Sequence, residues 1–369
     1  MKIKLTYWVA AILLLVQFQT SCIYDKEYVD TEEESLTSKY ISFSVNVAQQ
    51  AAATRADGYT WGDDYPSVLG TDFENRILTG SLNVYAFDVN GNYLATVQNI
   101  SYGGLQQDEG IYEFFGVLQN ETINPDLSIG AGTELMLVVA ANCGTITIKD
   151  GEPDLEGLTF VNEWDAFISQ KSSIPMWGAK KITLTGDANQ DVGEIDLLRA
   201  LAKVEILLDN GIKDKYEITS AQITKSYTTG YCFPGNWNIT PTPSLLHENS
   251  FREYGKPEAI VNNVNLFPVS SSYMIYMPEI DNQKDDVRIN ITIKDKTNNN
   301  AIYEFSGDRA VRFATYENTG LLPDNPVPFN VVRNHYYRYI LTGVGPADIK
   351  VICDVRPYAE VNLRPGFGL

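Results

Sequence analysis

The chain has 369 residues, 44% of them hydrophobic and 11% aromatic, and a formal net charge of −19. That length supplies two domains of ordinary size, and so acidic a chain is repelled by phosphate backbones, which excludes nucleic acid as a partner. The sequence holds two histidines, His247 and His335, and no cysteine or histidine pair at metal-ligand spacing, so no metal or cofactor is expected.

Lys2 and Lys4 precede an apolar run from Tyr7 to Phe18, and Thr20-Ser21-Cys22 follows it. A basic end, an apolar centre too short to span a bilayer and a small-residue cleavage site read as an export signal over residues 1–21. Cys22 is then the acylated first residue of a lipoprotein, anchored by its lipid. Loss of the leader, whose only charges are two lysines, takes the net charge to −21. The acidic run Asp30-Thr31-Glu32-Glu33-Glu34 is expected to be a solvated tether.

From Tyr40 to Val47, Ile41, Phe43, Val45 and Val47 alternate with Ser42, Ser44 and Asn46, the pattern of a strand with one buried face. A small, polar stretch ending at Arg55 and a Gly/Asp-rich segment after Ala56 predict a protease-accessible loop. Residues 22–55 carry −3, so cleavage between Arg55 and Ala56 leaves −18.

Ser81 to Asp88 and Asn92 to Gln98 flank Asn90-Gly91, which predicts a hairpin with both turn residues at positive φ. Asp88-Val89-Asn90-Gly91 has calcium-loop residue types, but its Gly comes two positions too early. Further strands are predicted at Gly110 to Leu118, Glu134 to Ala141, Lys181 to Thr185 and Gly193 to Leu197, with a short helix at Trp164 to Ser169. The run from Leu198 begins with helical spacing and ends in period two, which places a boundary there and a strand at Ala202 to Leu208. Strands follow at Thr219 to Ser226, Ser272 to Met277, Val287 to Lys294, Ala301 to Phe305 and Asn334 to Thr342. Short strands between Gly, Pro and Asn turns argue for antiparallel sandwiches.

Ile349, Val351, Cys353 and Val355 alternate with polar or outward positions, and the same parity returns at Val361, Leu363 and Phe367, so the tail forms an extended ribbon broken by prolines. Of the later cysteines, Cys143 and Cys353 lie in apolar runs and read as small core residues; no disulfide framework is indicated. Phosphate-cradling, nucleophile-elbow and Ser-x-x-Lys motifs are missing, so no catalytic residue is assigned and the chain is not expected to be an enzyme. The Tyr/Arg cluster from Arg333 to Tyr339 could present flat rings to a glycan or partner, but on an alternating strand it reads first as one packed and one solvated face.

Ile174-Pro175-Met176-Trp177-Gly178, Arg199-Ala200-Leu201-Ala202-Lys203-Val204-Glu205-Ile206 and Val332-Arg333-Asn334-His335-Tyr336-Tyr337, in this order behind the Cys22 leader, resemble the fimbrillin family of Bacteroidales, whose members build type V pili. The resemblance implies an all-β chain of two tandem transthyretin-like antiparallel β-sandwich domains after a lipoprotein leader. Its parts would be a signal peptide at 1–21, a lipidated tether and first strand at 22–55, sandwiches at 56–198 and 199–347, and a donor-strand tail at 348–369. It also implies export as an outer-membrane lipoprotein precursor, cleavage after Arg55 by an Arg-specific surface protease, and polymerisation into a cell-surface fimbria by donor-strand exchange. The displaced strand would carry Ile41, Phe43, Val45 and Val47, and the donor Ile349, Val351, Val355, Val361, Leu363 and Phe367. Partners would be other fimbrial subunits and host or bacterial surface receptors. The alternatives are a lipid-retaining anchor subunit and a surface glycan-binding lipoprotein using Trp61, Trp164, Trp177 and Trp237.

Overall fold

The computed structural model describes residues 38–47, 72–106, 111–119, 130–155, 157–234 and 260–357. Cys22, Arg55, Ala56, Val361, Leu363, Phe367, Trp61, Trp237 and His247 lie outside the described residues.

The first half contributes β1 (Ser38–Val47), β2 (Asn83–Phe87), β3 (Tyr93–Gln106), β4 (Ile111–Gln119), β5 (Glu134–Ala141), β6 (Ile148–Lys149), β7 (Glu152–Pro153), β8 (Thr159–Val161), α1 (Trp164–Ile168), β9 (Met176–Thr183) and β10 (Asn189–Arg199). The second contributes β11 (Ala202–Leu208), β12 (Tyr216–Tyr227), β13 (Thr229–Tyr231), β14 (Ile260–Asn265), β15 (Phe267–Val269), β16 (Ser272–Met277), α2 (Asn282–Asp285), β17 (Arg288–Asp295), β18 (Ala301–Phe305), β19 (Val311–Arg312), β20 (His335–Val344) and β21 (Ile349–Pro357).

The chain is all-β, as the alternation requires. In the first half seven strands run in the order β1-β10-β9-β5-β2-β3-β4, and β4 pairs back onto β1 to close the sheet. In the second half the sheet β15-β16-β11-β20-β21 faces β14-β12-β17-β18, on which β19 also pairs. The apolar core divides accordingly: one cluster spans Ile41 to Leu201 and takes in Cys232, Phe233 and Tyr276, and the other spans Ala202 to Val351. Two pairings are parallel, β1 with β10 and β11 with β20, where antiparallel neighbours were expected. Both join elements far apart in sequence, where no short hairpin dictates direction.

The Asn90-Gly91 turn also departs from expectation. Only Gly91 takes positive φ, at 87°; the Gly91 amide donates to the Asp88 carbonyl at 3.1 Å, and the Asp88 carboxylate accepts from the Asn90 and Asn92 amides at 2.8 Å each. This is a type I turn followed by a bulge, not a two-residue type I′ turn, because the Asp side chain supplies a competing local acceptor. The same bonds pull the Asp88 carboxyl below its ordinary range, against its partial burial.

Strand β9 begins five residues before the predicted start and contains Met176-Trp177-Gly178. Gly178 is dictated by space: a Cβ there would lie 2.1 Å from the Asp196 carbonyl oxygen of β10 and 2.8 Å from Leu197 Cδ2. Backbone cannot yield as a side chain can. Gly178→Ala is therefore expected to destabilise the fold by about 1–3 kcal/mol or more through forced strand displacement, read as a lower urea midpoint.

Candidate functional site

β1 carries the residues that the sequence singled out. Its alternation places Ile41, Phe43, Val45 and Val47 at 2% exposure or less inside the first core. Burying four such side chains contributes on the order of 6–12 kcal/mol before ordering costs. Phe43 stacks on Phe114 of β4, with centroids 5.8 Å apart and planes 18° apart. Backbone pairing holds both edges, parallel to β10 from Tyr40↔Asn189 to Val47↔Leu197 and antiparallel to β4 from Ser38↔Gln119 to Asn46↔Ile111. Without β1, both neighbours would present unpaired N–H and C=O groups beside an open apolar groove.

Polar contacts pin the strand at both ends. The buried Lys39 ammonium donates to the carbonyls of Thr185 at 2.5 Å and Asp187 at 2.6 Å, and the Tyr40 amide donates to Ala188 at 2.9 Å. Burial lowers the Lys39 pKa, partly offset by the Asp187 charge. At the far end Asn46 donates to Glu194 at 2.9 Å. Beside it the Asp196 pKa is raised, first by burial and then by the Glu194 charge.

The tail reads differently in the structure than in the sequence. Ile349, Val351 and Val355 lie in β21, paired antiparallel to β20 from His335↔Pro357 to Val344↔Ile349, and Val351 is 1% exposed in the second core. These three positions, expected in a donor, here complete the protein's own sandwich, because β20 offers an edge directly after a short connection.

Two of the three resemblance-bearing motifs, residues 199–206 and 332–337, meet in a buried polar cluster that joins the two cores. The Glu74 carboxylate accepts from Tyr276 Oη at 2.7 Å and pairs with Lys203 Nζ at 3.0 Å; Arg199 Nε donates to the Glu74 carbonyl at 2.9 Å. Arg199 also donates to Asn75 and to Asn334 Oδ1, and Lys203 Nζ lies 4.9 Å from the Tyr336 ring centre. Tyr336 Oη in turn donates to Glu205. Asn334 sits at φ 54°, a left-handed conformation that Asn tolerates, and its amide donates to the Leu201 carbonyl at 2.9 Å. Sequence reasoning missed this cluster. Its signal was there in the charged residues Arg199 and Lys203 inside an apolar run.

The Arg333–Tyr339 cluster is interior: Tyr336, Tyr337 and Tyr339 are buried, and Arg333 pairs with Glu279 at 2.6 Å. Trp177 is likewise core, 5.9 Å from the Phe233 ring and 1% exposed, and Trp164 is half-buried against the second core. Among the described residues no group of three or more His, Cys, Asp or Glu is placed to hold a metal. All three later cysteines are unpaired, and burial raises the Cys353 thiol to about 12.

His335 Nδ1 lies 2.8 Å from the Arg333 carbonyl, which assigns the proton to that nitrogen. Burial lowers its pKa, against the pull of that carbonyl and of Glu279. Above about pH 6.5 the ring is neutral folded or unfolded and contributes no pH dependence. Below it the unfolded chain binds a proton that the fold resists, so stability falls as pH drops. The urea midpoint is expected to decline from pH 6.5 to 5, and His335→Asn, which keeps a donor, to flatten that decline.

The described residues thus form two β-sandwiches, the first closed by β1, with a buried polar cluster joining their cores. Residues 71–360 match the family model of the fimbrillin-A associated anchor proteins Mfa1 and Mfa2, and the chain belongs to that family. It is thus a protein of the cell-surface fimbria, associated with other fimbrial subunits and not an enzyme. Similar solved structures include the C-terminally truncated tip fimbrial protein Mfa3 of Porphyromonas gingivalis, at 16% identity over 87% of this chain and 99% of that one, with a TM-score of 0.48. The fimbrilin FimA of Porphyromonas gingivalis W83 is 17% identical over 88% and 98%, with a TM-score of 0.45. A fimbrial assembly protein of Parabacteroides distasonis is 11% identical over 86% and 98%, with the same TM-score. Comparison with curated proteins found no match.

Proposed function

We propose that the protein is a fimbrial subunit exported as a lipoprotein through Cys22, closed in its precursor by β1, and opened by cleavage between Arg55 and Ala56 so that another subunit's extended segment fills the groove. The observation that carries this reading is β1 itself: a strand with four buried side chains, placed between two strands that have no other partner on that side among the described residues. A groove of that kind is stable only when filled, and strand addition fills it.

Because β21 belongs to the second sandwich, the donor is assigned to the residues after Pro357, with Val361, Leu363 and Phe367 as its anchors. Truncation after Pro357 is then expected to leave a folded monomer that no longer assembles into oligomers, whereas truncation after Gly345 should also cost the second sandwich its cooperative melt. Oligomers formed as readily by the Pro357 truncation would remove the tail from the mechanism.

The family's description as anchor proteins favours a second reading, in which β1 stays in place and Cys22 keeps the folded chain on the outer membrane at the fimbria's base. N-terminal analysis of assembled fimbriae separates the two: Ala56 marks a cleaved subunit and lipidated Cys22 an anchor.

A further inference from the structure

The outer face of the β1 sheet carries a second feature, opposite the side that packs the core. A cleft of about 560 Å³ opens there, lined by Tyr40 and Ser42 of β1, Asn99 and Ser101 of β3, Phe115 of β4, and Asn189 and Asp191 of β10 among others. The strand register explains it. Ser101, Phe115, Ser42 and Asp191 form one row across four strands, and Gln98, Val117, Tyr40 and Asn189 form the next. Bulges in β3 between Gln98 and Ser101 and in β1 between Ser42 and Ser44 bend the surface at this point, and Asn99 takes φ 53° inside the first.

Two aromatic rings stand open at the cleft, Tyr40 at 60% and Phe115 at 49% exposure, as diagonal cross-strand neighbours about 7–8 Å apart. Phe115 is held in place: its ring lies over Gly103, where a Cβ would come within 2.4 Å of Cε2. Asp191 is fixed too, its Oδ1 accepting from the Gly193 amide at 2.9 Å and from Ser42 Oγ at 3.5 Å, which leaves Oδ2 to accept from a ligand.

We propose that this cleft binds a neutral saccharide, with the Tyr40 and Phe115 rings against the apolar faces of the sugar and Asp191, Asn99, Asn189 and the serines on its hydroxyls. The chemistry selects this occupant. Exposed rings beside amide, hydroxyl and carboxylate groups match a ligand with one apolar face and a rim of donors and acceptors. Among the described residues no Lys or Arg lines the cleft, and the chain carries −19, so an anionic sugar or phosphate is disfavoured. A peptide adding as a strand finds no edge, since β3, β4, β1 and β10 are paired with one another across this face. The site differs from the tryptophans that the sequence suggested.

Three of the lining residues, Tyr40, Ile41 and Ser42, come from the strand assigned to removal. The site therefore exists only while β1 is in place. That dependence rests on the proposed cleavage, whereas binding by the intact chain does not.

Saturation-transfer NMR on the full chain with maltotriose, cellotriose, mannotriose and triacetylchitotriose tests the proposal. At least one is expected to receive saturation, with tenfold or greater weakening in Tyr40→Ala and in Phe115→Ala, a smaller loss in Asp191→Asn, and a cooperative melt retained in each variant. Sialyllactose should bind more weakly than its neutral counterpart lactose. The proposal is overturned by no transfer to any neutral probe, by binding that both aromatic variants leave intact, or by Tyr40→Ala changing only the oligomeric state, which would make the cleft a subunit contact. Protein shown by sequencing to lack β1 should lose the transfer; retention would overturn the state dependence alone.

Discussion

Deletion of Ser38–Val47 is expected to abolish the independent cooperative melt of the first sandwich, and a synthetic peptide of that sequence added in trans should restore it. The reason is the double role of β1, which satisfies the backbone edges of β4 and β10 and fills the core with Ile41, Phe43, Val45 and Val47. Losing transfer energy on the order of 6–12 kcal/mol exceeds the stability of an ordinary domain or nearly so. A peptide with Phe43→Asp should fail to rescue, because a carboxylate would enter the site stacked on Phe114 without a partner. A deleted protein that melts like the full chain would show that the sheet closes without β1.

The second large effect belongs to Glu74. Its carboxylate is fully buried, paired with Lys203 and hydrogen-bonded to Tyr276, so Glu74→Ala leaves a buried ammonium and a buried phenol without their acceptor. Breaking one side of a buried pair costs about 3–5 kcal/mol, roughly 10 °C in melting temperature for domains of this size. Exchanging Glu74 and Lys203 together for Met, of similar volume, should recover much of the loss, since the desolvation of both charges disappears with them. A single variant within about 1 °C of the parent would mean that the cluster does not couple the two cores.

What the sequence revealed follows from locality. Ala202 to Leu208 and Glu134 to Ala141 match β11 and β5 residue for residue, and β1 was legible from strict alternation over one buried face. β13, β14 and β15 escaped notice because short pieces at sheet edges carry too few alternating positions to stand out. The parallel partners of β1 and β11 were invisible for another reason: they are fixed by pairing between strands distant in sequence, which no local pattern encodes. At the candidate site the four buried residues of β1 were legible in sequence, while the Lys39 latch was not, since its acceptors are backbone carbonyls some 146 and 148 residues away. The tail shows how a correct pattern can mislead. Alternation at Ile349, Val351 and Val355 signals a strand but not whose sheet it joins, and an edge in the same chain is the nearer one.

The claim at the centre of this account is that β1 is a removable closing strand. Digestion of the purified chain with an Arg-specific protease, followed by size-exclusion chromatography and N-terminal sequencing of each fraction, tests it most directly. The account predicts a ladder of oligomers whose chains begin at Ala56 and retain no Ser38–Val47 peptide. Chains cut at Arg55 that elute only as monomers, each still holding its β1 peptide in equal amount, would contradict it.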